Sequence, residues 1–574
     1  MSQVGTYATA RRSTENSKLS IFDRMTAIAY RTFGSQSKRI ATSSPEMREQ
    51  ILKSNLRITP EGLVSLALFA TALSLVPVVI CVALGFLLHI VFLYLAVLTP
   101  LIVFVMIWNL PKVSQGSRAS AIDNELPMLI GFLGVLSGGG VSPVSTLRRI
   151  SGMSKIFPAS AKEAKRILID VEVFGVDPIT AFENAAKHMP NRPFAEFLYG
   201  YTTVLKVGGD VKSYVDNKLK ETLDGRSSKV RRITDSVGTL AEAYLTVTAV
   251  MGITLFSLYQ LEGVVSHNTS GLQSLYIFSF LVVPAISALF IFIIDGTQPK
   301  QPYFNKRPYY VFIACVPIGL VLYVLPLPLP LSLHVSLALC SINVVPAVVA
   351  FRQGRERNGL EKALPDFIRD VAEGRKIGLS PEGSIEQLAS KNYGRLSKSI
   401  KTMGSQISWG LPIIKVIRTF AESVDSWITM AIGTLMVEVV DVGGGTVGSF
   451  SQMADFTRKI NELESDKRSA LRSYIFVVYM AGIMLVLTTF MMVYFLSTPI
   501  SFGGKASPIP GLTIDPGTVQ SLLTASIFDG WVIGLVAGKM GGGSVADGFK
   551  HSLALVAVGG LMVALSGAIL GHPI

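Results

Sequence analysis

The closest approaches to a phosphate-binding loop in this 574-residue chain are two Gly-Lys pairs. Neither completes the motif. Gly504-Lys505 is followed by Ala506 and Gly538-Lys539 by Met540, where the loop needs a Ser or Thr hydroxyl for the metal. Any nucleotide-driven work must therefore come from a partner. The six histidines (His89, His188, His267, His334, His551, His572) are scattered without metal-ligand spacing. Cys81, Cys315 and Cys340 lie in apolar runs and form no CxxC or disulfide framework. The apolar segments show no aspartate pair, Ser/His dyad or zinc motif, which sets an intramembrane protease aside. No catalytic, cofactor or metal residue is assigned, and the chain is expected not to be an enzyme. Two kinds of charged residue remain. Asp529 is the one charge clearly in the middle of an apolar segment, and such a residue has a reason to be there; a subunit-binding or inter-span role is expected. Basic clusters at Arg148-Arg149, Arg231-Arg232, Arg355 with Arg357, and Lys467-Arg468 with Arg472 could dock an acidic surface. Those beside a span are explained by membrane orientation and anionic lipid alone; Arg148-Arg149 is far in sequence from any span.

The elements that carry these residues follow from hydropathy. With 49% hydrophobic and 16% charged residues, the chain reads as an all-α polytopic membrane protein. Residues 1–60 carry ten Lys/Arg against four Asp/Glu. The first eighteen are expected to be disordered. Ile21, Phe22, Met25, Ile28 and Phe33 then mark one face of a basic helix with Arg24 and Arg31. Such a helix can lie on an anionic membrane surface or dock on the protein's own body. The apolar run begins near Leu63, too late for a cleavable signal. Residues 61–111 hold two spans, 112–238 a polar block, 239–351 four spans, 352–472 a second polar block, and 473–574 three more. Spans are expected near 241–261, 273–294, 309–325, 333–351, 474–496, 520–538 and 552–571, making nine. With the N-terminus inside, only Lys505 of the 52 Lys/Arg falls outside. This bias places both blocks in the cytoplasm and the C-terminus outside. It also accounts for the formal charge of +13 without nucleic acid. The Asn268 sequon then lies outside, where glycosylation is possible.

The two polar blocks are copies of one pattern, an internal repeat that fixes the architecture. Leu126-Pro127, Ser142-Pro143, Val207-Gly208-Gly209 and Arg231-Arg232 recur as Leu364-Pro365, Ser380-Pro381, Val442-Gly443-Gly444 and Lys467-Arg468. Each Leu-Pro is read as the start of a helix whose buried stripe is Leu126, Leu129, Ile130 and Leu133, or Leu364, Phe367, Ile368 and Val371. Each Ser-Pro supplies an N-cap hydroxyl and a first-turn proline, and Asp177-Pro178 does the same. The glycines permit tight turns, or a hinge. The copies differ on one face. Asp366, Arg369, Asp370 and Glu373 in the second correspond to Met128, Gly131, Phe132 and Val135 in the first. The first helix is therefore apolar nearly all round. Two readings of Phe132 and Val135 are open: contact with the other copy or a partner, or burial within their own block.

On these motifs the chain resembles the type II secretion system F-domain family, the inner-membrane platform proteins of type IV pilus-like machines. The resemblance covers about residues 112–500. The doubling, the long basic N-terminus and nine spans look most like archaeal platform proteins of the archaellum and archaeal pili. The resemblance implies a hexameric cytoplasmic secretion ATPase as partner, together with pilin or archaellin subunits. Its cycle would move the F domains and so help assemble the filament. It makes Arg148, Arg149, Arg231, Arg232, Arg355, Arg357, Lys467 and Arg468 candidates for ATPase docking. Two domains per chain suggest a fused pseudo-dimer or a homodimer. The alternative from another class is a transporter with large cytoplasmic domains. It predicts ionisable groups in the spans, and Asp529 alone answers to that.

Overall fold

The computed structural model describes residues 21–56, 58–88, 96–138, 141–251, 276–298, 306–326, 328–442, 446–497 and 516–570, with isolated positions at 254, 258, 501–502 and 505–506. The first eighteen residues, the Asn268 sequon and Gly443 and Gly444 lie outside the described residues. Apart from a two-residue antiparallel pairing of Ser501–Phe502 with Lys505–Ala506, the described elements are helical. They form two compact units, Met1–Leu126 with Ala159–Asp210, and Pro127–Pro158 with Val211–Ile574. Residues 112–238 are thus divided between the units, whereas 352–472 fall wholly in the second.

The first unit contains α1 (Ile21–Thr42), α2 (Pro45–Ser54), α3 (Pro60–Leu88), α4 (Thr99–Trp108), the start of α5 (Leu110–Gly138), α7 (Ser160–Glu172), α8 (Pro178–Lys187) and α9 (Arg192–Val207). The basic helix α1 packs along α3. It buries Ala29, Ser37 and Ala41 and leaves Met25 and Ile28 outward. Small residues make this seat because they let two helices approach closely. Met47 and Ile51 of α2 continue the core against Leu63, Val64, Ile107 and Trp108. Arg118 of α5 locks the unit. Its guanidinium is bidentate on Glu163 of α7 at 2.9 and 2.7 Å and also donates to the Lys53 carbonyl. Such fork geometry fixes orientation as well as charge. Glu125 accepts the backbone N–H groups of Ala159 and Ser160 at the start of α7.

The second unit contains the rest of α5, α6 (Pro143–Gly152), α10 (Val211–Leu245), π-helical turns at Thr246–Met251 and Phe278–Val282, α11 (Val283–Thr297), α12 (Arg307–Val324), α13 (Leu331–Lys376), α14 (Pro381–Leu388), α15 (Ser397–Ser408), α16 (Ile413–Ser423), α17 (Trp427–Asp441), α18 (Val447–Ser497), α19 (Pro516–Gly542) and α20 (Gly548–Leu570). The Ser-Pro and Asp-Pro starts occur as expected. Ser142, Ser380 and Asp177 accept the N–H groups of Ser145, Gly383 and Thr180 at 3.3, 3.0 and 3.1 Å. The Leu-Pro starts do not. Pro127 lies inside α5 and Pro365 inside α13. Proline removes a single intrahelical bond, and packing on both sides of it carries the helix through. For the same reason the polar-block limits at 352 and 472 fall within α13 and α18, which run 46 and 51 residues without a break. A change from apolar to charged composition alters a helix's surroundings, not its backbone.

Eight described helices are long and apolar enough to cross a membrane. One of them, Leu110–Ser137, is 67% buried inside the protein against 17% for Pro60–Ala83. Its apolar surface is used by other helices, so it does not replace a span. The expected spans at 63–110 and 241–261 run into residues outside those described, leaving a short apolar helix, Ala96–Trp108, as the described part of the second span. The protein is a multi-pass membrane protein whose bundle is centred on α19, 83% of whose span is buried. Around it, glycines let backbones meet: a Cβ on Gly534 would fall 2.3 Å from the Ser552 Cα, and one on Gly538 2.0 Å from the Gly548 Cα.

The repeat has a physical counterpart here. The long helices α10 and α18 pack together with equivalent residues in contact. Gln452 donates to Asp216, and Tyr474 lies against Gly238, where a Cβ would be 2.6 Å from its ring. Both pairs are 236 residues apart (216 to 452, 238 to 474), as are the helix starts Val211 and Val447. Like touching like along two parallel helices defines a local pseudo-twofold axis between the copies.

Candidate docking surface

Three of the eight candidate basic residues are held inside the second unit. Arg149, in the last turn of α6, donates to Glu438 and, at 2.7 Å, to Asp441. Both carboxylates sit in the last turn of α17, where the helix dipole disfavours negative charge. Arg149 offsets that cost. The Glu438 and Asp441 hydrogen bonds raise the Arg149 guanidinium above its ordinary value, so it is a permanent cation. Lys467 pairs with Glu464 at 3.0 Å; burial pushes that carboxyl up, and nearby Lys467 and Arg468 more than reverse it. Arg468 donates to Asn358 and, at 2.5 Å, to Glu361. Glu361 is buried on α13 and also accepts the Ser426 hydroxyl at 2.8 Å. These bonds tie α13, α17 and α18 into one body. Arg357 is half-buried, 4.0 Å from Glu361. The side chains of Arg148, Arg231, Arg232 and Arg355 are exposed.

Residues 127–158, which belong to the first copy by sequence, lie against the second copy. Besides the Arg149 pairs, Trp427 of α17 donates its indole N–H to the Ile156 carbonyl at 3.0 Å. On α5, Gly131 faces the ring of Phe456 from α18; a Cβ there would come within 2.5 Å of it. Phe132 and Val135 are buried. The Phe132 ring packs edge-on against Phe157 of its own copy at 5.4 Å. The helix is thus covered on one side by its own block and at Gly131 by the other. Gly131→Leu is expected to destabilise the protein by about 1–3 kcal/mol, as overpacking does. Phe456→Ala in the same chain should recover part of that, which thermal unfolding of the two variants would measure.

The matching face of the second copy is open. Asp366, Arg369 and Glu373 are exposed, and a cleft of about 330 Å³ is lined by Lys362, Asp366, Arg369, Asp455, Arg458 and Glu462 among others. Asp370 is bound by Lys391 and Tyr393 at 2.5 and 2.6 Å. Burial would raise its carboxyl, but these bonds prevail and hold it below the usual carboxylate range. Gly208 ends α9 in the left-handed conformation, φ +73°, which makes it a turn that glycine suits. Asp529 is fully buried in the membrane bundle.

Residue composition did not single out Glu361, Glu438 or Asp441. One signal was present. Asp123 and Asn191 in the first copy, and Glu361 and Ser426 in the second, occupy equivalent places, and in each pair the cap residue donates to the acid. An acid and a helix cap recurring at matched spacing is a readable sign of a structural bond.

Residues 129–258 and 367–494 each match the family described as type II secretion system (T2SS), protein F. Each match spans a polar block and continues into the apolar segment after it. An uncharacterized protein of Methanocaldococcus jannaschii is 23% identical over 491 residues, covering 78% of this chain and 80% of that protein. No solved structure matches the chain.

Proposed function

For a chain that carries two tandem domains of the type II secretion system protein F family, we propose the role of membrane platform in an archaeal type IV pilus-like machine, archaellum or pilus. It docks a hexameric cytoplasmic secretion ATPase and passes that motor's motion to pilin-like subunits in the membrane. The observation that carries this reading is the continuity of α13 and α18 from polar block to bundle. A helix of 51 residues is a rod of roughly 75 Å at 1.5 Å per residue, and a push at its polar end reaches the other end without a joint. The in-register pairing of α10 and α18 supports a fused pseudo-dimer.

The polar blocks face the cytoplasm in this reading, with the N-terminus inside and the C-terminus outside. Outward Met25 and Ile28 beside exposed Arg24 and Arg31 on α1 suit an anionic inner leaflet, where basic residues add about 1 kcal/mol each. The ATPase surface is drawn from the exposed cations Arg148, Arg231, Arg232 and Arg355. Reversing all four to Glu should weaken ATPase co-purification by about tenfold or more, equivalent to ~1.4 kcal/mol, with membrane insertion intact. Undiminished binding by a correctly inserted variant would move the docking site elsewhere.

A further inference from the structure

Within the bundle lies a buried carboxyl group. Asp529 sits midway along α19 and is 0% exposed, and neither of its oxygens has a hydrogen-bond partner among the described residues. The Ser279 hydroxyl faces it, also 0% exposed, without completing a hydrogen bond of good geometry to any group. Ser279 belongs to the π-helical turn Phe278–Val282, a conformation that recurs at functional sites because it re-aims side chains and backbone carbonyls. The turn is seated on α19: Phe280 packs on Phe528 with ring centroids 4.7 Å apart, directly beside Asp529 in sequence. Thus two unsatisfied oxygen-bearing groups from different helices meet in a water-excluded place.

Among the described residues, the surrounding elements provide no counter-charge. From α10 the titratable neighbour is Tyr244, whose hydroxyl pairs with Ser287 of α11 at 2.9 Å. From α18 and α20 come Tyr479 and His551, bonded to each other at 2.8 Å. From α13 come His334 and Cys340, neither bonded to Asp529. Lys539 of α19 itself is paired with Asp295 of α11 at 2.6 Å. It lies ten residues from Asp529, or about 15 Å along the helix. A bare carboxylate in such a site is far too costly to persist, and an unused hydroxyl beside it adds to the cost. A single positive charge between the two groups satisfies both.

We propose that Asp529 and Ser279 form a binding site for one monovalent cation, a proton or a sodium ion, inside the membrane bundle. Oxygen ligands of this kind, a carboxylate and a hydroxyl, suit either, and occupancy joins the π turn to α19. The site stands independently of the platform reading, since it rests only on the interior of the bundle.

The test uses the full-length protein in lipid nanodiscs at neutral pH, with Asp529→Asn and Ser279→Ala as variants. If the cation is a proton, the infrared difference between wild type and Asp529→Asn contains the C=O band of a protonated carboxylic acid, and sodium chloride leaves Tm where choline chloride does. If it is sodium, that band is absent in sodium chloride. The wild-type Tm then rises in sodium over choline chloride at equal ionic strength, and Asp529→Asn shows no such rise. In either arm Ser279→Ala acts on the same signal, moving the band or raising the sodium needed for half the effect by about tenfold, a loss of ~1.4 kcal/mol. An ionised carboxylate with no sodium dependence overturns the proposal. Should Asp529→Asn fail to fold, Ser279→Ala decides alone, and a variant with unchanged band and unchanged sodium response overturns it equally.

Discussion

Gly538→Val is expected to collapse the membrane bundle, with a loss of about 4 kcal/mol or more, the range reserved for a change that cannot be accommodated. A Cβ at Gly538 would lie 2.0 Å from the Cα and N of Gly548, and Gly548 in turn approaches the Leu535 backbone. Side chains can rotate away from an intruder; a backbone at that distance can move only if α20 leaves α19. In a bilayer this contact is not held by water-driven burial, since lipid tails are as apolar as leucine. It depends on close packing between small residues. Separation of α19 from α20 would also open the region around Asp529. Fluorescence-detected chromatography in detergent across a temperature series should show an early loss of the folded peak. Gly152→Ala, at a position where a Cβ meets nothing, should leave that peak in place.

Arg149→Glu is expected to part α6 of the first copy from α17 of the second while leaving both helical. Three carboxylates would then crowd the C-terminal turn of α17, in a region where the Glu438 and Arg149 side chains are only 14% and 29% exposed. Breaking a part-buried pair of this kind costs about 3 kcal/mol, and the lost charge at the helix end adds up to ~1. Limited proteolysis should reveal new cleavage near residues 139–158. Adding Glu438→Arg to the variant should restore much of the protection, because the pair is re-formed with reversed sign. Failure of that rescue would mean Arg149 acts on something other than α17. This outcome also bears on docking. Under the proposed platform role, loss of ATPase binding in Arg149 variants would report the separation of α6 from α17, and the direct contacts are to be sought at Arg148, Arg231, Arg232 and Arg355.

Much of this was readable before any fold was known. The Ser142, Ser380 and Asp177 caps were legible because a capping hydroxyl or carboxylate acts within three residues, on a backbone the sequence places beside it. The spans were legible because twenty apolar residues have one inexpensive environment. Pro127 and Pro365 misled for the complementary reason: a proline's local preference is a few kcal/mol at most, and tertiary packing on both sides of it exceeds that. The limits at 352 and 472 mark changes of composition, and hydropathy reports what surrounds a helix and says nothing of where the helix ends.

The basic clusters divide along the same line. Arg148 and Arg149 are neighbours of the same type, and no local property separates an exposed cation from one clasped by acids 289 and 292 residues away. That distinction is made when the α6 segment of the first copy meets α17 of the second. Likewise, the sequence marks Gly131 only as a gap in an apolar stripe, and it is Phe456 that gives the gap its meaning. By itself, then, the chain determined its helices, its doubling and its membrane character, all set by interactions between residues a few positions apart or by water and lipid acting on average composition. The tertiary structure alone decided which charges are paired, which helix faces remain open and that Asp529 has no hydrogen-bond partner among the described residues. These depend on the register in which distant helices meet, and no short stretch of sequence contains that register.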